Sequence, residues 1–346
     1  MENGPRHVGC LCAGLLGLSL LTSERGSVAA DPVPGKASRA PTASKREAES
    51  KPAREARPKC DPARAMGYLT ELCRIGPRFS GSAGMDRQQK LISEHMTRLK
   101  WRVRYQTFDA PHPVNRQPVR MTNLIVECHP GRKDRILIAC HYDTRPLPDQ
   151  DPNPQLARDG VFVGANDGAS GVALLMELAH QIGQIETRYG VDLVLFDGEE
   201  LIYGQIGEFF VGSTYFADQY RIQPPEHRYH YGVLVDMIGD KNLAIYQEKN
   251  SVQFAPGLVR SVWDAARIAG VKEFVPRIKH EVRDDHLPLN EIAKIPTIDL
   301  IDFDYPYWHT TRDVSSSCSG ASLAKVGNVL LEWLANLPAA ETVVRP

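Results

Sequence analysis

The chain has 346 residues, with 41 Lys and Arg against 42 Asp and Glu and a formal net charge of -1. That length suits one large domain or two small ones with a sizeable core. The balanced charge leaves no basic excess to neutralise phosphates, which excludes nucleic acid as the main partner.

Arg6 and His7 are followed by the apolar run Val8–Leu21 and the small residues Ser27-Val28-Ala29-Ala30. This is the pattern of an export signal over residues 1–30, and it predicts an exported chain, periplasmic or secreted. The apolar run is too short for an ordinary membrane span, and none is expected in the mature chain. Residues 31–59 are rich in Pro, Ala and charge and poor in large apolar residues. They cannot bury enough surface to offset chain entropy and are expected to form a disordered linker. The folded domain is expected over residues 60–346. Five cysteines remain after the signal (Cys60, Cys73, Cys128, Cys140 and Cys318), so complete internal pairing is impossible. Cys60 and Cys73 are near enough in sequence for a disulfide to be considered, and Cys140 reads as a small buried residue.

Ala63, Met66, Leu69 and Leu72 share a face, which predicts a helix over Pro62–Cys73. A second helix is expected over Met85–Leu99, then strands over Val103–Phe108, Met121–Cys128 and Arg135–Cys140. The third strand runs into His141-Tyr142-Asp143. His141 and Asp143 are two apart and point the same way on an extended backbone, so the carboxylate can fix the ring as it does behind a metal-ligating histidine. Gly164–Gly171 is a glycine-rich turn before a helix over Val172–Ile182. It lacks the spacing and the Lys of a phosphate loop. Asp167 in its middle suits a cation, and a plain helix-capping turn is the alternative.

Val191–Phe196 reads as a strand buried on both faces. Asp197-Gly198 ends it, which places Glu199 and Glu200 where ligands bind in open α/β sheets. One carboxylate can hold a metal while the other stays free as acid or base. Alone, such a pair is most often a solvated loop. Leu201–Gly212, with Tyr203, Phe209 and Phe210, could wall a pocket. Further on come a helix over Ser213–Tyr220, a strand over Tyr231–Asp236 and a helix over Phe254–Gly270. The cluster Arg283-Asp284-Asp285-His286 precedes a strand over Pro296–Ile301. An aromatic loop, Tyr305–Thr311, carries Trp308 and His309, and a helix over Ala321–Leu337 closes the chain. His180 and His280 read as structural or surface residues.

Strand alternates with helix throughout, which predicts an α/β fold: a mostly parallel central sheet with helices on both faces, a three-layer sandwich with one crevice at the strand ends. His141, Asp167, Glu199, Glu200, Asp236 and His309 would meet there. Two imidazoles and several carboxylates without a thiolate suit catalytic Zn²⁺ with an open position. Calcium or magnesium would want more oxygens and no histidine.

With these motifs together, the chain resembles the zinc aminopeptidase and glutaminyl cyclase family from about Cys60 to the C-terminus, and most of all its bacterial cyclase-like members. The resemblance implies a zinc-exopeptidase fold of the phosphorylase/hydrolase type, with peptide or protein N-termini as substrate. In the family's peptidases, residues matching His141, Asp167, Glu200, Asp236 and His309 hold two zinc ions. The one matching Asp167 bridges them, and the one matching Glu199 is the general base. In its cyclases a single zinc is held by residues resembling Asp167, Glu200 and His309, and N-terminal Gln becomes pyroglutamate with loss of ammonia. Asp284-Asp285-His286-Leu287-Pro288 resembles the cyclase form of that loop, in which the residue matching Asp284 hydrogen-bonds with the catalytic Glu. Trp308 resembles an indole that lines the cyclase pocket. Asn166–Gly171 has the peptidase form, and Gln205 lies where animal cyclases carry a tryptophan. The resemblance therefore implies a cyclase first, an aminopeptidase as the alternative, and a non-catalytic binding domain third, against which the intact Glu199 and ligands argue.

Overall fold

A computed structural model gives the fold and describes residues 57–338. The expected export signal, and all but the last three residues of the expected linker, lie outside the described residues. In chain order the elements are α1 (Pro62–Ile75), α2 (Ala83–Arg98), β1 (Arg102–Pro111), β2 (Pro118–Cys128), β3 (Asp134–His141), α3 (Pro154–Asp159), α4 (Ala169–Gln181), β4 (Gly190–Phe196), α5 (Val211–Ile222), β5 (Arg228–Asp236), β6 (Ile245–Glu248), α6 (Lys249–Phe254), α7 (Pro256–Ala269), β7 (Phe274–Lys279), α8 (His286–Glu291), β8 (Thr297–Ile301) and α9 (Gly320–Asn336).

Six strands form the main sheet in the order β1-β2-β4-β3-β5-β8. The strands from β4 to β8 run parallel, and β1 and β2 add an antiparallel edge. The sheet is mostly parallel, as its continuous apolar runs predict. Alternation along each strand divides the core. Ile136, Ile138 and Cys140 of β3 join one apolar cluster, which also takes in residues of α1, α2, α4, α7 and α9. Leu137 and Ala139 join a second, with Phe216 of α5 and Leu289 of α8. The three-layer arrangement follows from this period of two.

Two sequence expectations need correction. The helix expected over Phe254–Gly270 is α7, which starts two residues later at Pro256; Phe254 instead ends the separate short helix α6, and Ala255, with φ -140°, lies between them. Pro256 disfavours the helical region for the residue before it and is itself well placed as the first residue of α7. Cys60 and Cys73 are both free thiols. Cys73 lies near the far end of α1, while Cys60 precedes its N-cap Asp61. At about 1.5 Å rise per residue that separates them by far more than the roughly 7 Å a disulfide spans. The small parallel pair β6-β7 was not legible, and neither was the one-turn helix α8.

One buried ion pair ties the lower sheet together. Arg135 Nε and Nη2 donate to Asp192 at 2.9 and 2.5 Å, and the Tyr229 hydroxyl donates to the same carboxylate at 2.5 Å. Both charged side chains are nearly inaccessible. Asp192→Ala leaves a buried guanidinium uncompensated and is expected to lower stability by about 3–5 kcal/mol, measured by urea unfolding. A loss below about 1 kcal/mol, the level of an exposed pair, would mean that the carbonyls of Cys128, His129 and Arg132, which Arg135 also reaches, suffice alone.

Candidate active site

The site is built at the carboxyl ends of the parallel strands. His141 is the last residue of β3, Asp236 the last of β5, and Glu199-Glu200 follow β4. Gly198 turns the chain after β4 with φ +70°, a conformation that favours glycine. Asp143 then holds the turn: its two carboxylate oxygens accept the backbone N–H of Glu199 and of Glu200, each at 3.1 Å. Asp167 sits in the glycine-rich loop before α4. A Cβ on Gly168, whose φ is +93°, would lie 2.7 Å from the Asp143 carbonyl oxygen, so the close approach of the two loops needs this glycine. Asp313 pins the loop from outside by accepting the N–H of Asn166 and of Asp167 at 2.8 and 3.1 Å.

These loops bring His141, Asp167, Glu199, Glu200, Asp236 and His309 together. His309 Nε2 lies 3.1 Å from Glu200 Oε2 and 3.3 Å from Asp167 Oδ2. His141 Nε2 lies 3.3 Å from Asp167 Oδ1 and hydrogen-bonds to Asp236 Oδ1 at 3.2 Å. Asp167 thus faces both rings, one oxygen to each. The sets Asp167/Glu200/His309, His141/Asp167/Asp236 and His141/Glu199/Glu200 each present ligand atoms within 4.8 Å of one another.

Burial raises the pKa of Glu200 to about 7, aided by Asp167 and opposed by His309. Burial, with the charges of Glu200 and Asp284, pushes Glu199 well above the usual carboxylate range, against a lowering pull from His141. Burial also acts to raise Asp167, but the facing imidazoles of His141 and His309 outweigh it and hold that carboxylate low. Burial disfavours the charged form of both rings. Asp143, Asp167 and Asp236 nevertheless hold His141 well above its ordinary value, and Asp149, Asp167 and Glu200 do the same for His309. Negative groups converge here around too little positive charge. Asp167 Oδ2 is buried without a hydrogen-bond partner, and the donors are nitrogen and oxygen only. On those grounds the residues fit a zinc ion.

Comparison with known proteins agrees with this geometry. The profile of peptidase family M28 matches residues 123–334. The chain belongs to that family. It is an enzyme, and its sheet and helices are those of the family's solved members. It is similar to a glutaminyl-peptide cyclotransferase of Gloydius blomhoffii, 27% identical over 295 residues that cover 74% of this chain and 77% of that protein. Among solved structures, the glutaminyl cyclase of Fimbriiglobus ruber is 39% identical, with a TM-score of 0.79, over 84% of this chain and 100% of that one. A leucine aminopeptidase precursor of Bacteroides thetaiotaomicron is 30% identical, with a TM-score of 0.76, over 81% and 99%.

Beside these side chains opens a cavity of about 280 Å³, and Phe209, Phe303, Trp308 and Asp284 line it together with Glu199 and Glu200. Trp308 stacks on His309, with ring centroids 4.0 Å apart. Gln205 is exposed and away from the wall, where Phe209 stands instead. Asp284 Oδ1 accepts the Asp285 N–H at 2.6 Å, and its Oδ2 is buried without a hydrogen-bond partner. Asp284 acts on Glu199 here through charge rather than a direct hydrogen bond. The sequence reading missed Arg145, Asp149 and Asp313. Their contacts with the site cross long stretches of chain, and no local pattern marks them. His180 bonds the Tyr68 hydroxyl and His280 pairs with Asp304, and neither lines the cavity.

Proposed function

We propose that the chain is a zinc-dependent glutaminyl-peptide cyclotransferase that converts N-terminal Gln of peptides or proteins to pyroglutamate. The observation that carries this reading is an asymmetry between the two histidines. His141 Nε2 is hydrogen-bonded to Asp236, whereas His309 Nε2 lies between Glu200 and Asp167 and the facing Asp167 Oδ2 has no hydrogen-bond partner. That favours one cation, held by Asp167, Glu200 and His309, with His141 Nε2 and Asp236 Oδ1 bonded to each other. The names of the relatives and the cyclase-like Asp284 and Trp308 support the same reading.

Zinc bound there would supply an electrophile that polarises the side-chain amide of the substrate. The substrate's α-amine nitrogen forms a bond to that amide carbon, the carbon–nitrogen bond to the departing amide breaks, and ammonia leaves. Glu199 takes the proton from the amine and delivers it to the leaving nitrogen. Trp308, Phe209 and Phe303 hold the side chain and shield it from bulk water, and Asp284 keeps Glu199 basic enough for the transfer. Export, which rests on the residues 1–30 pattern alone, would bring the enzyme to peptide substrates outside the cytoplasm.

A second reading, a two-zinc aminopeptidase, is favoured by the clustering of His141, Asp167 and Asp236. A Gln-initiated peptide and a leucine chromogen separate the two. Ammonia release with pyroglutamate formation is expected. Leucine release without it would overturn the cyclase in favour of the peptidase.

A further inference from the structure

The segment Arg145–Asp151 lies against the turn that carries His309. Gln150 N–H donates to the His309 carbonyl oxygen at 3.1 Å. Asp151 Oδ2 accepts from Thr311 N–H and Oγ1 at 2.9 and 2.6 Å. Between them, Asp149 places one oxygen on each of two partners. Its Oδ1 faces His309 Nδ1 at 3.4 Å, on the far side of the ring from Glu200 and Asp167. Its Oδ2 takes both Nε and Nη2 of Arg145, at 3.0 and 2.9 Å. Arg145 is itself buried, and its backbone N–H donates to Glu200 Oε1 at 2.6 Å. One short segment therefore grips two of the three groups that converge on the cation position, the imidazole through Asp149 and the carboxylate through a main-chain amide.

His309 also has φ +53°, an unfavourable conformation for a non-glycine residue that persists only when its surroundings over-determine it. The hydrogen bonds from Gln150 and Asp151, with the Asp149 carboxylate set against the ring, supply that. A carboxylate behind a metal-ligating imidazole fixes its tautomer and orientation and raises its basicity.

We infer that the Arg145–Asp149 pair is a positioning device that sets the zinc affinity of this site by holding His309 Nε2 on the cation position. The inference rests on the zinc reading above. Asp149 is a positioning residue: it touches the ring and, through Arg145, the segment that holds Glu200, but not the substrate.

The test titrates the metal-stripped chain with zinc against a chromophoric chelator and records the melting temperature of the metal-free form. For Asp149→Asn the expected result is a zinc Kd raised 10–100-fold, an unchanged metal-free melting temperature, and turnover that returns at saturating zinc. An unchanged Kd overturns the inference, and so does a lowered metal-free melting temperature with unchanged affinity, which would make Asp149 a fold residue only. A wild-type chain that binds no zinc overturns the underlying reading instead, so the two failures are distinguishable. Arg145→Lys, which keeps the charge and loses the two-pronged grip, is the second variant should Asp149→Asn not fold, and the same readings apply to it.

Discussion

Glu199→Gln is expected to lower turnover of a Gln-initiated peptide by about 10²–10⁴-fold, the usual worth of a positioned proton-transfer group, with zinc content unchanged. The argument starts from the turn. Asp143 holds the main-chain amides of Glu199 and Glu200 with one oxygen each, so the two side chains diverge from a fixed base. Glu200 is driven toward His309 and Arg145. Glu199 is left at the cavity wall, with Oε2 4.0 Å from His141 Nδ1. Burial and the neighbouring Glu200 and Asp284 carboxylates push its pKa well up. A carboxylate whose affinity for a proton is raised in this way is suited to taking up a proton and passing it on. Gln keeps the shape and loses only that capacity. Steady-state ammonia release and metal analysis of the same preparation check it. Wild-type turnover would remove Glu199 from the mechanism. Loss of zinc along with turnover would instead move it among the ligands, where the His141/Glu199/Glu200 grouping leaves room for it.

The strand ends were legible because buried parallel strands are apolar throughout, so a polar residue at the end of such a run stands out. His141, Glu199, Glu200 and Asp236 all carry that mark. Asp167 and His309 did not follow from strand pattern. A glycine-rich turn and an aromatic loop drew attention to them, and family resemblance gave them roles. What escaped notice depends on contacts distant in sequence. Asp149 lies in a Pro- and Asp-rich stretch where one more carboxylate is unremarkable, and its partner His309 comes only near the end of the chain. Asp313 pins a loop almost as far away. The β6-β7 pair was hidden for a local reason: Phe274–Lys279 is mostly exposed or half-buried and carries charge, so it has neither the apolar run nor the clean alternation that marks a strand. The antiparallel edge was recognised as strands but not as antiparallel, since direction depends on connectivity rather than composition.

The two histidines give the other large effect. His309→Ala is expected to abolish stoichiometric zinc binding and turnover, while His141→Ala keeps one zinc per chain. The imidazoles are alike in burial, and each faces Asp167, so composition alone would make them equivalent ligands. Their partners differ. Asp236 Oδ1 is already shared between His141 Nε2 at 3.2 Å and the Met237 N–H at 2.7 Å, and a cation there would have to displace the histidine bond. Among the described residues His309 Nε2 makes no such hydrogen bond. The ring nitrogen and two carboxylate oxygens, Glu200 Oε2 and Asp167 Oδ2, face one another at 3.1 and 3.3 Å, and a cation is the partner that satisfies all three. Removing the imidazole leaves two carboxylates, an oxygen-only remnant poorly suited to zinc. Metal counting on the wild type and both variants is the measurement. Two zinc ions in the wild type, falling to one in His141→Ala, would show that the His141–Asp236 bond yields to a second ion. The chemistry would then shift toward attack by an activated water, with Glu199 taking its proton from that water in place of the substrate's amine.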